Sequence, residues 1–497
     1  MNLSLLLDMA AEGFGNRTVL GLRDGGMTAA QLRSSSLSGA RLLRDAGADA
    51  LIYLGVNSPN FAVSLFAAAR AGIPLVPLNY RLGDEQLAQL IANHPNAVGV
   101  ADEQYCSRLA AAGLRVWSKQ EWSTTLAEQP PTELVAPDAD GTAVLIYTSG
   151  TTSAPKGVVI RHRHLLSYVF NTVEFGAAGP QDAALISVPP YHIAAVANTA
   201  SNLYAGRRSI ILEQFNPAEW LDVARREQAT NALVVPTMLA RIMEGADEDL
   251  HVPTLRNVAY GGAAMPPKVI ERALTAWPQV DFVNAYGLTE TSSTIAVLGP
   301  EDHRAAFASD DQLLRARLQS AGQVLPTVEV QIRDDDDNVL PVGSIGQIWV
   351  RGEQISGEYA GSGSALDESG YFDTRDRGYL DSESYLFVAG RADDTIIRGG
   401  ENIAPAEIEA VLLRHPDVAD AVVVGIPDDE WGFRIESAVV LRAAAVSTPP
   451  DLISYVRKHL RGSKTPERIV FWHDLPRNDI GKIVRREAQA RLLSEHG

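Results

Sequence analysis

The sequence has almost no cysteine: Cys106 is the single one in 497 residues. That excludes an internal disulfide framework and a cysteine-ligated metal cluster, and leaves ordinary packing as the expected role of the thiol. Long apolar runs are missing too. No stretch reaches the roughly eighteen uncharged apolar residues that a membrane-crossing helix needs. The opening MNLSLLLDMAAEGFGNR has no cationic region ahead of its short apolar run. It therefore reads as an amphipathic helix and not as a signal peptide, and a soluble, cytoplasmic protein with no integral membrane segment is expected. Positive charge is in deficit: 43 Lys and Arg stand against 61 Asp and Glu, a formal net charge of −18. Such a chain repels nucleic acid in general, although a local basic pocket for a nucleotide stays allowed.

What is present is apolar material in quantity. Hydrophobic residues make up 46% of a chain long enough to split into more than one core. Short β-branched runs (Leu51–Val56, Ala143–Tyr147, Ala184–Val188, Asn231–Val235, Asn257–Tyr260, Asp281–Tyr286) alternate with Ala-rich segments of helical spacing, such as NFAVSLFAAARAG and PAEWLDVARREQ. This alternation predicts α/β layers with mostly parallel sheets. Several of the runs end in polar or glycine-rich turns: TSGTT, PPYH, PTML, GGAAM and YGLTE. Ligands of open α/β sheets sit beyond the carboxyl ends of strands, so these turns are expected to share one site. Beyond Val324 the texture changes to strand–turn–strand, with the acidic run Asp334–Asp337 as a solvated hairpin turn, since EF-hand spacing is absent. The stretch GEQISGEYAGSGSALDESG reads as a loop. Past Arg391, helix, strand, strand and helix patterns follow in about a hundred residues, enough for a small second domain.

The densest chemistry lies in YTSGTTSAPKGVV, Tyr147–Val159. Gly150 lets a backbone approach an anion. Thr148, Ser149, Thr151 and Thr152 add donors, and Lys156 adds a cation. This is a phosphate cradle or, alternatively, a polar surface loop. The spacing from Gly150 to Lys156 matches a Walker loop, but Pro155 replaces its second glycine and Gly157 its magnesium-binding hydroxyl. His162 and His164 in RHRH imitate a metal pair without a third ligand; a helix start is the better reading.

Taken with PPYHI (Pro189–Ile193), NAYGLTET (Asn284–Thr291), YFDTRDRGYLD (Tyr371–Asp381), GRADDTIIRGGENIAPAEIE (Gly390–Glu409) and PRNDIGKI (Pro476–Ile483), this loop resembles the phosphate loop of the adenylate-forming superfamily. That superfamily holds acyl- and aryl-CoA synthetases, stand-alone adenylation domains and luciferases. The motifs follow in the family's order. The resemblance implies a large multi-sheet N-terminal α/β domain, 1–390, that binds ATP and the acid, and a small mobile α+β C-terminal domain, 391–497. It implies an AMP-forming acid–thiol ligase: a carboxylate displaces pyrophosphate from ATP, and CoA then displaces AMP from the acyl-adenylate.

Carried over residue by residue, the loop from Thr148 to Lys156 would hold the β- and γ-phosphates. Glu290, with Thr148, would hold Mg2+. Thr289 would bond the α-phosphate. Asn284, Ala285, Tyr286 and Gly287 would face the adenine, opposite Gly262 and Ala263. Asp376 and Arg391 would bind the ribose. His192 would line the acid pocket and Lys482 would be the catalytic lysine. Asp393 would be the hinge, and Gly399 and Gly400 would line the CoA tunnel.

The sequence departs from the family pattern at Ser153 and Arg375, where glycine is customary, at Ile397, where many relatives carry lysine, and at Ser463, where an aromatic is common. The first two touch backbone shape at the nucleotide. Rival readings are transfer to a carrier protein, a non-catalytic nucleotide-binding relative and a P-loop NTPase. His192 stands where amino-acid-activating relatives carry an aspartate, and PPYHIAAVANTASNLYAG has no carboxylate. Plain carboxylic acids, medium-chain or aromatic, are expected in place of amino acids.

Overall fold

In the computed structural model the β-branched runs become strands and the Ala-rich segments between them helices. The structure describes residues 1–132, 140–148, 155–244, 249–398, 401–428, 431–443, 445–460, 462–478 and 481–495. Ser149, Gly150, Thr151, Thr152 and Ser153 of the phosphate loop, Gly399 and Gly400, and the side chain of Ile397 lie outside the described residues.

Two sheets carry the larger part of the chain. One has 13 strands and the other 8. Within the first, Ala183–Ile186, Asn231–Val234, Asn257–Gly261 and Asp281–Leu288 lie side by side and parallel. The second contains a parallel block of Leu51–Leu54, Leu75–Pro77, Val98–Ala101 and Arg115–Ser118. The expectation of mostly parallel sheets holds for these blocks and for the strands beside them, Arg208–Ile211 and Thr18–Leu20 in the first sheet and Thr142–Thr148 in the second. From Asp281–Leu288 onward the first sheet is antiparallel, through Ser293–Leu298, Gly322–Val324, Tyr385–Arg391, Phe372–Leu380, Gly346–Arg351 and Glu329–Arg333. The last four of those strands come from the segment beyond Val324, whose texture changes from helix–strand alternation to hairpins, and hairpins can pair only antiparallel.

Helices seal the layers. Helix Ser4–Phe14 buries Leu6, Leu7 and Ala10, with Leu3 just ahead of it, an i, i+3, i+4, i+7 stripe. Helix Pro59–Ala71 is buried along nearly its whole length, and its Arg70 is compensated by Asp8 of the first helix. The run Asp334–Asp337 is a hairpin turn, as its composition predicts: the Asp334 carboxylate accepts the backbone N–H of Asp336 at 2.9 Å and of Asn338 at 2.8 Å. RHRH starts helix His162–Thr172. Both histidines are buried, and His162 is enclosed by the amino-terminal segment. The Leu3 N–H donates to its Nδ1 at 3.4 Å, and the Asn2 amide stands 3.2 Å from its Nε2.

A 3-stranded sheet of Val418–Asp428, Gly432–Leu441 and Arg468–Phe471 forms a separate layer, packed by helices Pro405–Arg414, Pro449–His459 and Arg485–Ser494. Its apolar clusters are distinct from those of the larger sheets. No helix among the described residues is long and apolar enough to cross a membrane.

Candidate active site

The carboxyl ends of the parallel strands gather the expected turns. Gly262 and Ala263 follow Asn257–Gly261 and are exposed. PTML opens helix Pro236–Glu244 directly after Asn231–Val234. His192 is the residue before helix Ile193–Ala205, half-buried, with its ring 4.6 Å from that of Tyr191.

YGLTE is not a turn, as the sequence suggested. The strand Asp281–Leu288 runs through Asn284, Ala285, Tyr286 and Gly287, and Thr289–Thr291 form one 3-10 turn before the chain reverses. Gly287 makes the extension possible, because a Cβ there would lie 1.8 Å from the Ser293 carbonyl oxygen. Asn284 faces away from a simple adenine role in one respect: its amide already donates to the Ser320 carbonyl at 2.9 Å.

Asp376 and Arg391 are directly opposed on neighbouring antiparallel strands, which brings two residues fifteen apart in sequence to 3.6 Å. Asp376 is buried, and burial raises its pKa above the usual carboxylate range despite the opposing pull of Arg391. Its other oxygen accepts a hydrogen bond from the Tyr286 hydroxyl at 2.7 Å. The tyrosine offered as an adenine platform is therefore also the anchor of the carboxylate offered for ribose. Burial, then the Asp376 charge, push the Tyr286 hydroxyl far up, so it remains a donor at neutral pH.

Thr148 and Lys156 face each other across the hairpin of Thr142–Thr148 and Lys156–Arg161. Glu290 is fixed at both its backbone and its side chain. Its carbonyl accepts the Ser356 N–H at 2.8 Å, and its Oε1 accepts the Tyr359 hydroxyl at 3.0 Å. Tyr359 lies in GEQISGEYAGSGSALDESG, which the sequence presented as loop. The structure corrects this: Glu358–Tyr359 and Gly363–Ser364 are a small hairpin added to the edge of the phosphate-loop strand. Two-residue strands between glycines leave no local signal; a tyrosine isolated among glycines and serines is the only hint.

Lys482 sits in a turn closed by Asn478, whose N–H donates to the Lys482 carbonyl at 2.8 Å and whose Oδ1 accepts the Lys482 N–H at 2.8 Å. The residue is exposed, yet desolvation by neighbouring protein, then the Arg391 charge, hold its pKa below the usual lysine value, and Asp376 and Asp394 oppose that shift. The lysine from the small layer and the Asp376–Arg391 pair from the large sheet thus share one electrostatic environment. Contacts between the layers keep it there. Lys268 Nζ donates to the His415 carbonyl at 2.9 Å. Gly481, at φ +77°, packs so closely on Thr237 that an added Cβ would lie 2.2 Å from its Oγ1.

Asp393 is exposed in the 3-10 turn Ala392–Asp394 between the layers. Beyond it Asp394 pairs with Arg485 at 3.2 Å, and Arg485 also donates to Glu409 at 2.7 Å. Sequence reading missed Arg485, which secures the segment after Asp393 to the layer carrying Lys482.

Residues 7–360 match the family model of the AMP-binding enzyme, and residues 407–482 that of the AMP-binding enzyme C-terminal domain. The chain belongs to the AMP-binding enzyme family. Among curated members, it is 32% identical to a fatty acid–acyl-carrier-protein ligase of Streptomyces coeruleorubidus, over 94% of this chain and 92% of that one. It is 31% identical to a feruloyl-CoA synthase of an Amycolatopsis species, over 95% of each. Among solved members, the o-succinylbenzoate CoA synthetase of Bacillus subtilis in complex with its acyl-adenylate intermediate superposes with a TM-score of 0.84 at 28% identity, over 97% of both chains. Family membership accounts for a mixed α/β fold with a large amino-terminal and a smaller carboxy-terminal part.

Proposed function

We propose that the chain is an AMP-forming acyl-CoA synthetase acting on a plain aromatic or medium-chain fatty acid, with ATP and CoA as its other substrates. The observation that carries this reading is the buried Asp376 carboxylate, held by Tyr286 and Arg391 on antiparallel strands of the large sheet, whose charge acts on Lys482. In the first half-reaction a carboxylate oxygen forms a bond to the α-phosphorus and the bond to pyrophosphate breaks. Two anions must approach, and the Lys482 ammonium between them lowers that cost. Asp376, braced by Tyr286, orients the ribose, with Arg391 on the same sugar. Thr289 binds the α-phosphate, and Lys156 and the loop from Thr148 hold the phosphates that leave. The backbone at Gly262 and Ala263 faces Tyr286 across the adenine. His192 borders the acid.

Mg2+ would be held by Glu290, with Thr148 assisting, because that ion is held by one or two carboxylates plus substrate phosphates. Among the described residues no group of three or more His, Cys, Asp or Glu could hold a metal ion. When bound, Mg2+ supplies charge neutralisation for the departing pyrophosphate.

In the second half-reaction the thiol sulfur bonds to the acyl carbon and AMP leaves. Lys482 and a thiol cannot occupy one place, so the part from Arg391 onward turns about Asp393 to bring Gly399 and Gly400 to the cleft.

Names of relatives support the acid class: feruloyl-CoA synthase, indoleacetate–CoA ligase and a fatty acid ligase. The pocket helix Ile193–Ala205 carries Ala194, Ala197, Asn198 and Ser201 and no carboxylate. A buried substrate ammonium would lack a counter-charge there, at several kcal/mol. The test is acid-dependent pyrophosphate release on paired substrates, hexanoate against norleucine and phenylpropanoate against phenylalanine. Each plain acid is expected to be preferred by more than a hundredfold, about 1.4 kcal/mol per tenfold. Equal use of either amino acid overturns the reading. The carrier-protein relative favours a second acceptor. AMP release that follows CoA, and not a phosphopantetheine-loaded carrier protein, decides between the two.

A further inference from the structure

Tyr359 stands between two groups that the proposed function assigns to ATP, and it touches both. Its hydroxyl donates to Glu290 Oε1 at 3.0 Å. Its ring lies 5.5 Å from the Lys156 ammonium, within cation–π range. Its backbone pairs with Val158, two residues past Lys156 on the same strand. The neighbours reinforce this placement. Glu358 forms a two-pronged ion pair with Arg161 at 2.7 and 2.8 Å, and the Ala360 N–H donates to the Gly157 carbonyl at 2.8 Å. On the other side, the Ser356 and Gly357 N–H groups both reach the Glu290 carbonyl. Residues 356–360 therefore tie the phosphate-loop strand to the 3-10 turn of Glu290, and Tyr359 is the side chain that spans the gap.

We propose that Tyr359 is a positioning residue for the metal–ATP complex: its hydroxyl engages one Glu290 oxygen and aims the other at the cation, while its ring steadies Lys156. A glutamate carboxylate, three rotatable bonds from its backbone, can swing, and a single hard-oxygen ligand that swings binds a metal poorly. One hydrogen bond to Oε1 removes that freedom and leaves Oε2 available. Outer partners of this kind are worth about 10–100-fold in metal affinity or activity. The inference rests on the reading of Glu290 as the protein's ligand to the cation.

The experiment measures Mn2+ in place of Mg2+, binding to the protein–ATP complex without acid, by the electron paramagnetic resonance signal of the free ion. Tyr359→Phe, which keeps the ring, is expected to weaken Mn2+ binding about tenfold. It should also raise the Mg2+ concentration for half-maximal adenylation by a similar factor. It should leave the rate at saturating Mg2+, and the conversion of supplied acyl-adenylate and CoA to thioester, within about twofold. Tyr359→Leu, which removes the ring as well, is expected to raise the KM for ATP further. Thermal melts of both variants exclude misfolding as the cause. If Glu290→Gln weakens Mn2+ binding and Tyr359→Phe does not, the positioning role is wrong and the assignment of Glu290 stands. If neither variant weakens it, the assignment of Glu290 falls and the inference falls with it.

Discussion

The wall that faces the nucleotide and the turn that carries Lys482 reach the same cleft by opposite constructions. Asp376 is held from three sides: by the sheet, by Tyr286 and by Arg391. Glu290 is held at its carbonyl and at its carboxylate. Lys482 is held within its own turn by Asn478, and it shares the electrostatic environment of Asp376 and Arg391. What brings it there is a backbone contact from Lys268 and the close approach of Gly481 to Thr237. Under the proposed function the wall stays in place while the turn docks for one half-reaction and leaves for the next. A binding site for a nucleotide gains from rigidity, whereas a lysine needed in one half-reaction and obstructive in the next gains from a weak seat.

The comparison is broken most severely at the lysine itself. Lys482→Ala is expected to cut acyl-adenylate formation by about 10²–10³, the usual cost of one preorganised electrostatic contact. Thioester formation from supplied acyl-adenylate and CoA should persist, because the wall is untouched. Single-turnover assays of the two half-reactions decide. Equal loss of both would mean that the turn also supports the wall.

A pair of backbone changes sharpens the same contrast at smaller cost. Gly481→Ala adds a Cβ 2.2 Å from Thr237 Oγ1 at a φ of +77°. Strain of about 1–2 kcal/mol is expected in the docked state, or about a tenfold loss of adenylation, with thioester formation spared. Thr237→Ala in the same chain should recover part of the loss, because the two positions are in contact and couple. Asp393→Pro, with φ fixed near −65°, should do the reverse: adenylation survives and the thioester step collapses. Matching losses in all variants would count against a moving small domain.

The larger part of the chain also has a pH signature, where the amino-terminal segment encloses His162. Burial lowers the pKa of His162 from 6.5 to about 4. Between those values the unfolded chain binds a proton that the folded chain refuses. Stability is therefore full above pH 6.5 and falls as pH drops toward 4, by up to about 1.4 kcal/mol per pH unit. The charged ring would set a second proton against the Leu3 N–H or the Asn2 amide. His162→Gln keeps a polar side chain and does not titrate. Between about pH 7.5 and about pH 5 it should lose roughly 2 kcal/mol less than the native chain in urea denaturation. An unchanged acid sensitivity would show that the ring is accessible when folded.

How much of this could be read from the chain divides along sequence separation. The parallel strands, the helices between them and the order of the motifs were legible, because periodicity and turn residues act within a few positions. Arg375 was legible as a departure from glycine, and its φ of +60° shows why glycine is customary there. The Tyr286–Asp376 and Tyr359–Glu290 hydrogen bonds join residues 90 and 69 apart, and no local pattern encodes them. YGLTE misled for another reason. Gly287 reads as turn punctuation, but here it permits a close strand crossing, and the left-handed residues that reverse the chain are Ser292 and Ser293. Tyrosine between two strands and serine at positive φ carry no signature that a single sequence displays.

The smallest expected effect tests how tightly the wall is built. Arg375 adopts φ +60° immediately before Asp376. An L-residue there costs roughly 1–2 kcal/mol, against about 0.5–1 kcal/mol that glycine loses in chain entropy. The Asp373 carboxylate offsets some strain by accepting the Arg375 N–H at 2.8 Å, a bond that glycine would keep. The ion pair from the guanidinium to Asp373 at 3.2 Å is exposed and worth little. Arg375→Gly is therefore expected to stabilise the protein by about 0.5 kcal/mol, a shift of a degree or so in melting temperature. The KM for ATP should stay within about twofold, since Asp376 is held independently by Tyr286 and by its strand. A large fall in that KM would mean that the strained turn distorts the ribose site, and a large rise would make the guanidinium a nucleotide contact. In either case the wall would prove less self-sufficient than its hydrogen bonds imply.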